Sequence, residues 1–202
     1  MTPVDGHDAP KRTYRMTARA TTAQATGESI LDAAKSAFEH LPFDRVTLKD
    51  IAAESGVTVQ TVIRRFGSKE QLFEAFARRE GARITTTRAV PEGTDLETAL
   101  NVLLDHYEQD GGVIMHLISQ EDHSDEVRRV VHEGRRAHRE WVGRHCGGVL
   151  AGTRGPEREL QIHGAIAATD LSTWNLLRRD LGLETEQVAT IMIKLLNGME
   201  KS

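Results

Sequence analysis

Apolar residues recur three or four positions apart along most of the chain, the spacing that puts them on one side of a helix. Ile30, Ala33, Ala34, Ala37, Phe38 and Leu41 predict a first amphipathic helix, and Pro42 stops it. Thr47 then precedes Leu48–Ser55 with Asp50 three residues on, a capping-box start with Asp in place of Glu or Gln. Leu48, Ile51 and Ala52 give this short second helix its inward side, and Gly56 supplies a turn. Thr58 opens a third short helix that runs to about Arg65 and is closed by Phe66 and Gly67. Ser68 with Gln71 is a further capping box, opening a fourth helix whose stripe is Leu72, Phe73, Phe76 and Ala77.

The remainder reads the same way. Pro91 and Gly93 form a break, and Thr94 with Glu97 opens a helix carrying Leu96, Ala99, Leu100, Leu103 and Tyr107. Gly111 and Gly112 predict a second break, with a short apolar helix near 113–120. Ser124 caps a long helix with Val127, Val130, Val131, Gly134, His138 and Trp141 on one side. Two more helices are expected near 157–179 and 185–199. No strand alternation and no internal repeat is visible. The fold class is therefore all-α, with about nine helices. Residues 1–25 lack periodicity and read as a disordered basic arm (Lys11, Arg12, Arg15, Arg19), either a solvated tail or a segment that touches DNA. Residues 26–73 form a small three-helix domain, and 74–202 a larger helical one.

Two short helices joined by a Gly-containing turn, braced by a longer helix in front, make a helix-turn-helix. In that geometry the third helix enters the major groove, with its first residues toward base edges and flanking cations on the backbone. Its exposed side offers Thr58, Val59, Gln60, Thr61, Ile63, Arg64 and Arg65. Gln60 suits an adenine edge, and Val59 and the Thr61 methyl suit thymine methyls. Arg65 suits a phosphate or a guanine. Lys69, at the start of the fourth helix, and Thr47 and Lys49, at the start of the second, suit phosphate oxygens. The alternative is a small core unit with a solvated charged face.

Charge changes the picture modestly. The chain carries a net charge of −4, but residues 1–88 hold 14 Lys/Arg against 11 Asp/Glu, and residues 89–202 hold 12 against 19. Only the N-terminal part is fit to approach a polyanion.

The stretch from Ile30 to Phe76 resembles the DNA-binding domain of the TetR/AcrR family of transcriptional regulators, with "ILDAA", "DIAAESGV" and "FGSKEQLF" at that family's spacings. The resemblance implies a two-domain helical protein: helix-turn-helix in front, and behind it a domain for ligand sensing and dimerisation. It implies a homodimeric, ligand-responsive repressor on a palindromic double-stranded operator, with an activator or inducer-independent DNA binder of the same fold as the alternative. Three positions depart from the family pattern. Ile63 stands where a tyrosine that contacts the DNA backbone is usual, Gln60 where glycine is frequent, and Arg65 where tyrosine or histidine is frequent. Arg65 can compensate with a charge-assisted contact.

In residues 74–202 the candidates for lining an effector pocket are Leu103, Tyr107, Met115, Leu117, Trp141, Cys146 and Trp174, each of which could equally be plain core. Gly164, Ala168, Leu171, Val188, Ile191 and Leu195, on the last two helices, are candidates for a four-helix interface between two copies; the alternative is again core. His132, His138, His145 and His163 have no acidic or Cys partner at metal-ligand spacing, so no metal site is assigned. No phosphate loop, nucleophile elbow or paired carboxylates point to an enzyme, and no cofactor is implied. The first 25 residues lack the apolar core of a secretory signal, no apolar run is long enough to span a bilayer, and the single Cys146 fits a reducing compartment. The cytoplasm is the expected location, and no membrane partner is expected.

Overall fold

The computed structural model describes residues 9–148 and 152–198, with side chains from residue 21. Among the described residues there is no strand. The helices are α1 (Ala9–His40), α2 (Leu48–Glu54), α3 (Val59–Phe66), α4 (Lys69–Thr87), α5 (Leu96–Ile118), α6 (Asp125–His145), α7 (Gly155–Thr169), α8 (Leu171–Asn175) and α9 (Thr185–Gly198). A 3₁₀ turn, Phe43–Arg45, lies between α1 and α2, and a π turn, Leu176–Asp180, continues α8. The chain divides into two compact units, Met1–Phe76 and Ala77–Ser202, with the boundary inside α4.

The first unit is built by its caps. Asp50 N–H donates to Thr47 Oγ1 at 3.2 Å and Thr61 N–H to Thr58 Oγ1 at 3.2 Å, so both helices of the pair start where the hydroxyls stand. Ser68 and Gln71 satisfy each other reciprocally: Gln71 N–H reaches Ser68 Oγ at 3.3 Å and Ser68 N–H reaches Gln71 Oε1 at 3.1 Å. Gly67, at φ +86°, makes the sharp exit from α3 that this box requires, a backbone conformation no L side chain adopts cheaply. The core gathers Ile30, Ala34 and Phe38 from α1, Ile51 from α2, Val62 from α3 and Leu72, Phe73 and Phe76 from α4, all essentially inaccessible to solvent. Phe38 is its hub, meeting Phe73 edge-on at 4.9 Å and stacking with Phe76 at 5.7 Å.

One expectation is overturned here. The arm foreseen as disordered over 1–25 is helix from Ala9 onward, continuous with α1. Pro10 falls in the first turn, where proline is tolerated, and Ala, Arg and Met are good helix formers with no breaker before Gly27. Residues 1–8, and the side chains of Lys11, Arg12, Arg15 and Arg19, lie outside what is described.

The second unit differs from expectation in three joints. Gly111 and Gly112 do not break a helix; α5 runs through them. A Cβ at Gly111 would sit 2.6 Å from the Trp174 ring, so the absent side chain is what lets the indole lie on α5. The helix foreseen over 157–179 stops at Thr169 and restarts at Leu171, because Asp170 takes the N-cap and accepts from Ser172 N–H at 2.8 Å. The cap of α5 is Asp95, not Thr94: Thr98 N–H donates to Asp95 Oδ1 at 2.9 Å.

The core of this unit joins α5, α6, α7, α8 and α9 through Leu100, Leu103, Leu104, Trp141, Val142, Ala165, Trp174, Val188, Met192 and Leu196. Polar knots fasten its edges. Glu108 Oε1 accepts from Trp174 Nε1 at 3.0 Å and from Arg178 Nε at 2.9 Å. Asp110 accepts from Arg83 Nη2 at 2.6 Å and pairs with His106 Nδ1 at 3.0 Å. Burial alone would raise the Asp110 pKa, but the hydrogen bonds from His106 and Arg83 hold it below the usual range.

Candidate nucleic-acid interface

The α3 surface is the part of the first unit where sequence expectation and geometry can be compared residue by residue. Thr58 caps the helix, and its hydroxyl lies 3.0 Å from that of Thr61, which is half-buried. Val62 is only 1% exposed and anchors α3 to the core. The helical spacing then leaves Val59, Gln60, Ile63 and Arg64 on one outward side. They form two parallel rows. Val59 (37% exposed) and Ile63 (41%) make an apolar row, four residues apart, and Gln60 and Arg64 make a polar row beside it.

Val59 and Ile63 lie one helical turn apart and so form a small joint apolar strip on the outward side of α3. Major-groove recognition uses this combination, with an amide for a base edge, methyl groups for thymine methyls, and a guanidinium for a guanine or a phosphate. Lys49 is exposed in the first turn of α2, and among the described residues neither it nor Arg64 makes an ion pair.

Two of the expected contact residues are otherwise engaged. Lys69 turns inward. Its Nζ donates to the Phe43 carbonyl at 2.8 Å and to the Asp44 carbonyl at 3.4 Å, and stands over the Phe43 ring at 4.5 Å from the centroid. It pins the start of α4 to the 3₁₀ turn. Arg65 folds back on α1: a Cβ at Gly27 would collide with its guanidinium, and it stands 5.9 Å from the Phe66 centroid. Thr47 is taken up by its cap and by a 2.6 Å hydrogen bond from its hydroxyl to Asp50. Of the ten residues expected on DNA, Lys49, Val59, Gln60, Ile63 and Arg64 face outward without another task. Thr47, Thr58, Thr61, Arg65 and Lys69 set the position of those five. The receiving positions for Arg65 and Lys69, Gly27 and the Phe43–Asp44 carbonyls, escaped sequence reasoning. A lone glycine inside an otherwise helical run was the available signal for the first.

The residues expected around an effector are packed into the core of the second unit. Leu103 and Trp174 are fully buried, Trp141 and Tyr107 nearly so, and Met115 and Leu117 half-buried. Trp174 is committed twice, to Glu108 and to Gly111. Burial pushes the Cys146 thiol up to about 11, so it stays protonated and unreactive. The expectation for the interface between copies needs correction. Ala168, Leu171 and Val188 face the unit's own core, and Gly164 is half-buried. The reason is the register of α9: Val188, Met192 and Leu196, four apart, point inward, whereas Ile191 and Leu195 make a second stripe on another side. Leu195 is 48% exposed, as are Leu176 (50%) and Leu181 (60%). No described helix is long and apolar enough to cross a membrane.

Residues 30–76 match the family model described as "Bacterial regulatory proteins, tetR family". No curated protein matches the chain by sequence. Among solved structures, a TetR-like transcriptional regulator from Rhodococcus sp. RHA1 is similar at TM-score 0.66 and 20% identity, covering 85% of this chain and 93% of that one. A tetR-family transcriptional regulator from Streptomyces coelicolor is similar at TM-score 0.65 and 18% identity, covering 88% and 87%. A TerR/AcrR-family transcriptional regulator from Aquifex aeolicus VF5 is similar at TM-score 0.60 and 16% identity, covering 87% and 98%. The resemblance read from the sequence therefore holds for residues 30–76, and the chain has the all-α fold of these transcriptional regulators. The matched family and these neighbours are regulators of transcription, not enzymes.

Proposed function

We propose that this protein is a homodimeric, ligand-responsive transcriptional repressor that reads a palindromic operator with α3. The observation that carries the reading is the pair of outward rows on that helix, Val59–Ile63 and Gln60–Arg64, backed by a buried Val62 and a satisfied N-cap. Ile63 contributes methyl groups where the related family usually places a tyrosine, so recognition leans on apolar contact with thymine methyls and on the Gln60 amide at adenine. Lys49 and Arg64 neutralise phosphates, and binding weakens as salt rises.

Two copies place two α3 helices about one DNA turn apart, roughly 34–36 Å, on a two-fold site. The Ile191–Leu195 stripe with the exposed Leu176 and Leu181 supports pairing of the second units. An effector bound in the second unit favours one conformer over another, and α4, which begins at Lys69 and ends at Thr87, gives that shift a covalent route to the DNA-binding unit. The cytoplasm is the location this function requires.

A gel shift with the DNA upstream of the protein's own gene tests the reading. Retardation that survives excess scrambled DNA, and weakens with salt, is the expected result. No selective retardation by a folded dimer, measured by sedimentation on the same sample, overturns it. Deleting the gene in a reporter strain gives the sign: rising output for repression, falling output for activation.

A further inference from the structure

Several arginines in the second unit are matched to carboxylates. Arg83 pairs with Asp110, Arg135 with Glu121, Arg136 with Glu133 and Arg178 with Glu108, all within 3.0 Å. Arg88 is set apart by burial without such a partner. It sits on the turn after α4, where its N–H still bonds Ile84 O at 2.9 Å, and the next residues lead Val90 into the apolar core. Its guanidinium Nη2 is cut off from solvent and has no hydrogen-bond partner among the described residues. A buried guanidinium nitrogen without an acceptor is costly, and natural proteins keep such groups mainly where something else supplies the acceptor.

A second buried polar group with unmet hydrogen-bonding capacity lies near Arg88. It lies within electrostatic range of Tyr107 and Arg144, and of His138. His138 is 7% exposed, and its Nε2 lies 3.3 Å from both the Ile166 carbonyl and Thr169 Oγ1. A carbonyl only accepts, so Nε2 carries the hydrogen. Thr169 Oγ1 gives its own proton to Ala165 O at 2.8 Å, consistent with accepting from Nε2. The other ring nitrogen, Nδ1, is then a bare acceptor in the neutral ring, and it too is buried without a partner among the described residues. Tyr107 Oη donates to Thr169 O at 3.1 Å, and the Trp141 ring lies nearly parallel to His138. An unmatched guanidinium nitrogen and an unmatched ring acceptor are thus buried near one another, the second against the Trp141 ring. The one acid that bears on the group, Asp170, is engaged as the cap of α8.

We propose that Arg88, with His138 and Tyr107, forms the polar end of the effector site, and that the effector is an organic carboxylate with an apolar body and a hydroxyl or N–H able to donate to His138 Nδ1. The carboxylate supplies the acceptors that the Arg88 fork lacks, and the aromatic walls take the body. This rests on the ligand-responsive reading above and names the ligand's chemistry.

The test uses three matched probes on the full-length protein, read by thermal shift and by tryptophan fluorescence. 3-Phenyllactate has the carboxylate and the hydroxyl, 3-phenylpropionate lacks the hydroxyl, and 3-phenylpropanol lacks the carboxylate. Saturable binding in that order is expected, with the alcohol at least roughly tenfold weaker than the hydroxy acid, as loss of a charged hydrogen bond implies. Arg88→Met should raise the melting temperature of the free protein and abolish the response to both acids, and Arg88→Lys should keep part of it. Three results overturn the proposal: no response to either acid, an alcohol response equal to theirs, or an Arg88→Met protein that is less stable than wild type or still responds. Retardation of upstream DNA by the wild-type protein is scored separately, so a failed ligand class is distinguishable from a failed regulatory reading.

Discussion

The two units solve the problem of holding polar groups in opposite ways. In the first, most polar side chains act locally: hydroxyls and an amide close helix ends within three residues of themselves, Lys69 and Ser29 being the long-range exceptions, and the core is hydrocarbon centred on Phe38. In the second, polar side chains act across the fold. Glu108 binds Trp174 and Arg178 from 66 and 70 residues away, and Arg83 reaches Asp110 from 27 away. Local polar order leaves a rigid helix with a free outward side, the requirement for reading a groove. Long-range polar order leaves a core with charged and neutral groups inside it, the requirement for recognising a small molecule and responding to it.

The largest test of this contrast is Trp174→Ala. It removes a fully buried ring, its bond to Glu108 and the surface that Gly111 was shaped to meet. A loss of about 3–5 kcal/mol is expected from thermal or denaturant unfolding. A loss below about 1 kcal/mol would mean that the Glu108 knot does not organise this core. On the other side of the comparison, Gln60→Ala should cost about 1–3 kcal/mol in operator affinity at fixed salt. Unfolding stability should stay within about 0.5 kcal/mol, because Gln60 is exposed and bonds nothing in the fold. Equal losses in affinity and stability would make α3 a structural helix and not a reading one.

The same contrast explains what could be read in advance. Every step of the first unit's reading rested on residues within four of one another, such as Thr58 with Thr61 or Ser68 with Gln71, and those spacings are visible in a linear string. What stayed hidden there were contacts at 25 or more positions, Lys69 to the Phe43 carbonyl and the Arg65 guanidinium against Gly27, which tie two cations to neighbouring backbone. In the second unit the hidden part was larger because its joints are tertiary. A glycine pair signals a helix end unless another element needs its missing side chain, and the partner, Trp174, is more than 60 residues away. The break at Asp170 was missed for a different reason. The apolar pattern continues across it, and a single carboxylate capping Ser172 decides the matter. Of the candidate interface residues on α9, Val188 falls in the core and Ile191 and Leu195 do not, a difference of register that the sequence hides because both stripes are apolar and only packing shows which one is inside.

The glycine pair gives a sharper test of smaller size. Gly111→Ala places a methyl against an indole that is fully buried and cannot retreat, so a loss of about 1–3 kcal/mol is expected from overpacking. Gly112→Ala meets nothing within 4 Å on the same helix, and should gain up to about 1 kcal/mol through helix propensity. Adjacent substitutions of the same kind should therefore move the melting temperature in opposite directions. If both stabilise, Trp174 does not rest on α5 as described.

The smallest expected effect concerns pH, and it belongs to the second unit because, among the described residues, only there is an imidazole buried beside a cation. Burial is the main reason the His138 pKa lies below its ordinary 6.5, with Arg88 and Arg139 adding to the depression and the Ile166 carbonyl and Asp170 opposing it. The unfolded chain therefore takes up this proton at a higher pH than the folded one. Stability is complete above about pH 6.5 and declines as pH falls below it, the direction fixed by the extra proton bound on unfolding. His145, lowered chiefly by partial burial and then by Arg144 and Arg88, adds a weaker slope of the same sign. His138→Gln can keep a donor toward the Ile166 carbonyl without a titrating ring. Melting temperatures between pH 7.5 and about 5.5 should then fall less steeply for the variant than for the wild type. Parallel slopes would mean that His138 takes up its proton as readily in the folded chain as in the unfolded one, and that burial beside Arg88 does not depress it.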